Sequence, residues 1–285
     1  MKIKNKISTQ PLRFLTEKIS EGGTPDMKYY AFDWDDNLMY MPTKIILINS
    51  DNEEVGMSTH DFAKYRSKIG EEEFKYEGHV IVGFAKDPFR EFGIEGDDKF
   101  LIDSLMAETG PSWNDFVECI NNGSIFAIIT ARGHNPNTLK ESCFNLIISS
   151  KGGIDFNECL KNLRKYRDLA DFEDLTDMEV IKEYLDLCKF YPVTYGQGSA
   201  ASPEELKVTA LNEFIRYVKD LSEELGKKAF LKKKVKNYFL PSVEIGFSDD
   251  DPKNIETIKK HFGDEESLNI YSTKTGKKVK VKKDN

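Results

Sequence analysis

The chain has 285 residues, 39% of them hydrophobic and 12% aromatic, with 32% charged and a formal net charge of −8. That composition supplies a sizeable core for one large or two small domains and excludes a chain disordered throughout. The acidic balance argues against indiscriminate nucleic-acid binding. No run reaches the roughly 20 apolar residues of a membrane span, and no apolar stretch of a secretory leader follows the basic start Met1–Lys6.

In chain order, an amphipathic helix is expected over Leu12 to Ile19, broken by Glu21-Gly22-Gly23-Thr24-Pro25. Lys28 to Phe32 reads as a short buried strand running into Asp33-Trp34-Asp35-Asp36-Asn37. Lys44–Ile48 and Glu54–Met57 flank a turn composition, which predicts a β-hairpin. Ser58 or Thr59 caps a helix through Ile69, a further strand falls within 75–85, and Asp97–Ala107 and Ser112–Ile120 have helical periodicity. A second firm strand, Ser124 to Ile129, ends in Thr130-Ala131-Arg132-Gly133, and a helix runs from about Asn137 to Ile148. Two helical stretches occupy 155–187, and Phe190 to Tyr195 is a third strand. Ser202, Pro203 and Glu205 then agree as N-cap, first helical residue and capping-box partner of a helix reaching about Leu225. Val243–Phe247 is a strand, Pro252 opens a helix through His261, and Asn269–Ser272 is a last strand before Gly276 turns the chain into a lysine-rich end.

Strands alternating with helices predict an α/β fold with a largely parallel sheet. The four cysteines, Cys119, Cys143, Cys159 and Cys188, form no CxxC and fall in amphipathic helical patterns. They read as buried thiols of a reducing, cytoplasmic compartment. The composition sets no oligomeric state.

Two acidic clusters occupy one context, directly after an apolar strand: Asp33-Trp34-Asp35-Asp36 and Ser248-Asp249-Asp250-Asp251. Open α/β sheets bind ligands beyond the carboxyl ends of their strands. If the two strands are neighbours, the converging carboxylates call for a hard divalent cation, and Mg²⁺ suits a site that also leaves room for water and phosphate. The plainer reading is turn and cap chemistry; Asp251, just before Pro252, fits an N-cap.

Phe32-Asp33-Trp34-Asp35 resembles the first motif of the haloacid dehalogenase (HAD) superfamily, a strand ending in Asp-x-Asp. Ile128-Ile129-Thr130-Ala131-Arg132-Gly133 is similar to its second motif, Lys207 to the third-motif lysine, and Gly246-Phe247-Ser248-Asp249-Asp250 to the acidic fourth. The resemblance implies a Rossmann-like, mostly parallel sheet with helices on both faces, and a Mg²⁺-dependent phosphohydrolase cleaving a phosphomonoester through an aspartyl-phosphate. Asp33 would be the nucleophile and Asp35 the general acid and base. The Asp35 carbonyl would join Asp33 and Asp249 on the metal, with Asp250 close by. Thr130 and Ala131 would hold the phosphoryl oxygens, and Lys207 would neutralise charge. Arg132 would contact the phosphate or pair with acids. Where the family commonly has Gly and then Thr or Val after its second aspartate, this chain has Asp36 and Asn37, a departure that suggests a divergent branch. Asp36 is expected to face solvent, Asn37 to cap or turn, Trp34 to pack, and His134 to lie in a loop.

The resemblance divides the chain into an N-terminal extension over 1–26, a core over 27–39 and 116–272, an inserted cap over 40–115, a second helical insertion over 150–188 and a basic tail over 273–285. Lysines cluster at Lys227–Lys228, at Lys232–Lys234 with Lys236, and from Lys277 to Lys283. They form either a basic face for nucleic acid or a solvated face that blunts a sheet edge. The expected partner is a phosphorylated small molecule or a nucleotide, with a nucleic-acid end admissible and a membrane excluded. The alternative is a binding or structural protein of the same fold that uses its insertions for assembly.

Overall fold

The computed structural model describes residues 26–71, 73–166, 175–196, 201–231 and 242–282. The helix expected over Leu12–Ile19 and the lysines Lys232–Lys234 and Lys236 lie outside them. The chain begins with β1 (Asp26–Phe32), then β2 (Met39–Tyr40), β3 (Lys44–Asn49), β4 (Glu54–Ser58), α1 (Thr59–Tyr65), β5 (Lys75–Tyr76) and β6 (His79–Phe84). Next come α2 (Asp97–Met106), β7 (Glu108–Thr109), α3 (Trp113–Asn121), β8 (Phe126–Thr130), α4 (Pro136–Ile148), α5 (Phe156–Tyr166), α6 (Asp177–Leu187) and β9 (Lys189–Pro192). The last elements are α7 (Pro203–Leu231), β10 (Ser242–Asp249), α8 (Pro252–His261), β11 (Leu268–Ser272) and β12 (Val279–Lys280).

The main sheet has the order β12-β11-β10-β1-β8-β9, with every pair parallel except β11 and β12. The fold is therefore mixed α/β with a mostly parallel six-stranded sheet. From β1 the chain builds outward to β8 and β9, then returns to lay β10 and β11 on the other side. Strand order thus reverses at β1, and open α/β sheets bind their ligands at such a point, here the carboxyl ends of β8, β1 and β10. Phe32 is in register with both Ser248 and Ile128, so Asp33 leaves the sheet beside Asp249.

Period-two alternation in β1 divides its side chains between two cores. Phe32 packs with residues of α3 to α6, including Phe116, Leu146 and Tyr184. Tyr29 and Ala31 pack with residues of α7 and α8, including Phe214 and Ile258. All four cysteines are buried thiols. No helix among the described residues is long and apolar enough to cross a membrane.

Residues 44–84 contribute a separate antiparallel sheet in the order β4-β3-β6-β5, over a small core of Ile45, Leu47, Val55, Met57, Tyr76 and Ile81. The expected hairpin turns through Asn49, whose Oδ1 accepts hydrogen bonds from the amides of Asp51 and Glu53 at 3.0 and 2.8 Å. Several boundaries differ from expectation. The single strand expected within 75–85 is a two-stranded hairpin, because Glu77 and Gly78 take φ of 50° and 86°, as a type I′ turn needs. Glu-Gly is a weak signal for that turn beside Asn-Gly or Asp-Gly. Helix α1 is capped by Ser58, which accepts from the Asp61 amide, but it ends at Tyr65, and a 3₁₀ turn carries the chain to Lys68.

That turn carries Arg66, which ties the inserted sheet to the main one. Its Nη1 lies 3.1 Å from Asp251 at the start of α8, and its Nη2 3.5 Å from Glu204 at the start of α7. Both pairs are partly exposed, so Arg66→Ala is expected to cost only about 1 kcal/mol of global stability. Local opening should change more: hydrogen–deuterium exchange over 59–68 is expected to speed up at least about tenfold. Unchanged exchange would mean that apolar packing alone holds the two sheets together.

Candidate active site at the carboxyl ends of the parallel strands

Three chain segments converge on one buried ammonium. Lys207 lies in the second turn of α7, behind the expected cap: the Ser202 amide donates to Glu205 Oε2 at 2.9 Å, and the Glu205 amide to Ser202 Oγ at 3.3 Å. Its Nζ is 2.7 Å from Asp33 Oδ1 and 2.7 Å from Asp249 Oδ2. All three side chains are buried. Asp249 is further held by Asn254 Nδ2, 3.0 Å from each of its oxygens, and by the Asp251 amide at 2.9 Å. Asp251 itself caps α8, as its place before Pro252 implied.

Electrostatics at this point is dominated by burial. It pushes the Asp33 carboxyl well above the usual carboxylate range; Lys207 opposes that shift, while Asp249 and Asp35 add to it. Burial, then Asp249 and Asp33, push Asp250 up in the same direction. Burial disfavours the Lys207 ammonium, but Asp249 and Asp33 outweigh it and raise its pKa. Three carboxylates against one ammonium leave an excess of negative charge. Asp33, Asp249 and Asp250 each offer an oxygen, and these oxygens lie within 4.8 Å of one another. Among the described residues, Asp33 Oδ2 and the Asp250 carboxylate accept no hydrogen bond. An all-oxygen donor set with surplus charge and unused lone pairs fits a hard divalent cation.

Asp35 has a different partner. Arg132, in the loop after β8, meets it as a fork: Nε to Oδ2 at 2.8 Å and Nη2 to Oδ1 at 2.7 Å. Arg132 is 1% exposed and lies against Phe92 and Phe100, with its guanidinium carbon 4.8 and 5.0 Å from the two ring centres. It was expected at the substrate phosphate or among acids; the structure places it on Asp35. Thr130 is buried at the end of β8, and Ala131 follows it at the surface.

The two residues that depart from the expected motif are both buried. Asn37 does more than cap or turn. Its Nδ2 donates to the carbonyls of Asp33 and Ser248 at 3.0 and 3.2 Å, while its Oδ1 accepts from Ser112 and Thr273 at 2.9 and 3.0 Å. It therefore ties β1 to β10 directly beneath the acidic group. Gly110 allows this, since a Cβ there would lie 2.6 Å from the Asn37 carbonyl oxygen. Asp36 does not face solvent, contrary to expectation. It takes φ of 54°, and burial lifts its carboxyl to about 6, against a hydrogen bond from Thr59.

A raised carboxyl favours the native state below its ordinary pKa of 3.8, and that advantage is lost as pH rises through about 6. Asp36→Asn keeps a residue that tolerates positive φ and removes the buried charge. It is expected to stabilise the protein at pH 8 by up to about 3 kcal/mol, with no gain at pH 4. Urea denaturation at the two pH values checks this, and an equal effect at both would trace it to the backbone instead.

Of the expected site residues, Asp33, Lys207, Asp249 and Asp250 come together, and Asp35 and Arg132 form a second pair alongside. Trp34 packs on Phe100, as expected. Asn37, Asn254, Asp97 and His134 take part in the hydrogen bonding around these groups, and the sequence singled out none of the four for it. His134 was expected in a loop; it lies in one and is fully buried. The signal for Asn254 was its place three residues past the Asp251 cap. Comparisons with protein-family models, curated proteins and solved structures found no match.

Proposed function

We propose that this protein is a Mg²⁺-dependent phosphohydrolase of the HAD type, cleaving a phosphomonoester through an aspartyl-phosphate on Asp33. The observation that carries this reading is Lys207 Nζ set 2.7 Å from both Asp33 and Asp249. A buried cation shared by two carboxylates at a sheet's switch point suits a reaction in which an anionic nucleophile meets a phosphate dianion. The order of the motifs along the chain and the place of Asp33 after the central strand support the same family.

Each residue then has a role. Asp33 Oδ2, free of protein partners, attacks phosphorus, and the leaving oxygen departs with a proton from Asp35. Asp35 next takes a proton from water; the resulting hydroxide attacks phosphorus, and the P–O bond to Asp33 breaks to release inorganic phosphate. Lys207 holds Asp33 oriented and balances charge on the phosphoryl oxygens. Thr130 supplies hydrogen bonds to those oxygens from the end of β8. Held by Asp33, Asp249, Asp250 and the Asp35 carbonyl, Mg²⁺ would supply positive charge at the transferring phosphoryl group. Four buried thiols suit a cytoplasmic setting.

The alternative is a binding or structural protein of the same fold. One observation favours it: both oxygens of Asp35 are engaged by Arg132. Phosphate release separates the two readings. The panel comprises small phosphomonoesters, nucleotides, and 3′- and 5′-phosphorylated oligonucleotides, each with Mg²⁺ and with EDTA. Release that needs Mg²⁺ is expected from at least one member, and the best substrate identifies the class. No release from folded protein on any member would favour the binding reading.

A further inference from the structure

Resting on the reading of Asp35 as acid and base, we propose that Arg132 is its positioning residue, held by a buried relay through His134 to Asp97, and makes no contact with the substrate phosphate. The donor inventory of Arg132 carries the argument. Nε and one Nη2 proton form the fork to Asp35, and the other Nη2 proton reaches Thr43 Oγ1 at 2.8 Å. Nη1 faces His134 Nε2 at 3.1 Å. Four of the five guanidinium protons are therefore committed, and Phe92 and Phe100 lie against the group. Little of Arg132 is left for a ligand.

The same geometry sets the state of His134. An arginine N–H always donates, so the Nε2 beside it must accept, and the ring proton must sit on Nδ1. Nδ1 lies 2.8 Å from Asp97 Oδ1, and Asp97 Oδ2 accepts from Thr138 at 2.9 Å. The histidine is thus neutral with a single defined tautomer, and burial beside Arg132 lowers its pKa in agreement. Asp97 belongs to α2, and Thr43 and Phe92 to the same stretch between β1 and β8. The inserted segment therefore shapes the surroundings of Asp35. The chain of contacts runs Thr138–Asp97–His134–Arg132–Asp35, and each member has its partner.

A group that orients the proton donor matters most when the leaving oxygen needs a proton. Glycerol phosphate has such a leaving group; p-nitrophenyl phosphate has one that departs unaided. The readout is the ratio of kcat/KM for glycerol phosphate to that for p-nitrophenyl phosphate, measured with Mg²⁺. Arg132→Lys keeps the charge but loses the fork, and the ratio is expected to fall about 10- to 100-fold. Asp97→Asn, which takes the negative charge from the partner of the Nδ1–H and can turn an NH₂ toward the ring, weakens the preference for the Nδ1–H tautomer and is expected to lower the ratio at least about fivefold. An unchanged ratio, with both substrates losing equally, would overturn the proposal, because a phosphate contact or a purely structural role acts on both alike. If Arg132→Lys does not fold, Asp97→Asn decides by the same criterion. If the wild type releases phosphate from no member of the panel, the hydrolase reading fails first and the catalytic part of the proposal falls with it; if it hydrolyses another alkyl ester of the panel instead, that ester replaces glycerol phosphate in the ratio. The relay is still tested by the ring ¹⁵N shifts of His134. A neutral ring protonated at Nδ1 in wild type, altered in Asp97→Asn, is expected. A charged ring, or one protonated at Nε2, would overturn the relay.

Discussion

Asp33→Asn is expected to lower Mg²⁺-dependent phosphate release by at least about 10³-fold while leaving the protein folded. The amide is the same shape, and its oxygen can still accept from Lys207 Nζ, now 2.7 Å from Asp33 Oδ1. It is no nucleophile toward phosphorus, so the covalent half of the reaction is lost. The fold should tolerate the change because burial already disfavours the Asp33 carboxylate. Removing that charge relieves a desolvation cost, and thermal unfolding should occur at or above the wild-type temperature. Activity within tenfold of wild type would remove Asp33 from the nucleophile role. A variant that unfolds would mean that the Lys207–Asp33 pair holds the site together more than it serves chemistry.

Lys207→Met should have the largest effect on stability. Methionine matches the length of the lysine stem, but Asp33 and Asp249 are then buried without their shared cation. Breaking a buried pair in this way costs about 3–5 kcal/mol, or a fall of roughly 6–20 °C in Tm for a chain of this size. The pH dependence has a definite sign. In wild type, the raised pKa of Lys207 keeps its contribution intact at every pH below its ordinary value of 10.5, and it is lost only in stronger alkali. In the variant, Asp33 and Asp250 have lost the partner that opposes their upward shift, so the native state binds protons more tightly than the unfolded chain. The deficit should therefore shrink as pH falls from 8 to 5. Mg²⁺ should restore part of it at pH 8, because a divalent cation can balance the same oxygens. Urea denaturation at both pH values, with and without Mg²⁺, measures this. An equal deficit under all conditions would show that lost packing, not unpaired charge, destabilises the variant.

Much of this arrangement was legible before any coordinates. The strand ends at Asp33, Thr130 and Asp249 could be placed because short apolar runs stop at polar residues, and the start of α7 because Ser202, Pro203 and Glu205 are all cap signals. Each acidic cluster directly follows an apolar strand, which in a parallel sheet is its carboxyl end; the sequence leaves open whether the two strands are neighbours. The two-core division of β1 follows from the period-two alternation of a strand.

Other features depend on partners far apart in the chain. Asn37 reads locally as a turn residue; it is a buried tie only because Ser112, Ser248 and Thr273 arrive around it. Asp36 reads as solvent-facing until the inserted segment brings Thr59 against it. Arg132 has no nearby acid in sequence, and its fork partner is 97 positions away. Chain-local physics, meaning periodicity, capping and turn chemistry, thus determined the elements, their order and the residue types at the strand ends. Only the tertiary structure decided which charges pair, since Coulomb energies and hydrogen bonds depend on separation and burial. In this protein it gave Lys207 to Asp33 and Asp249, and Arg132 to Asp35.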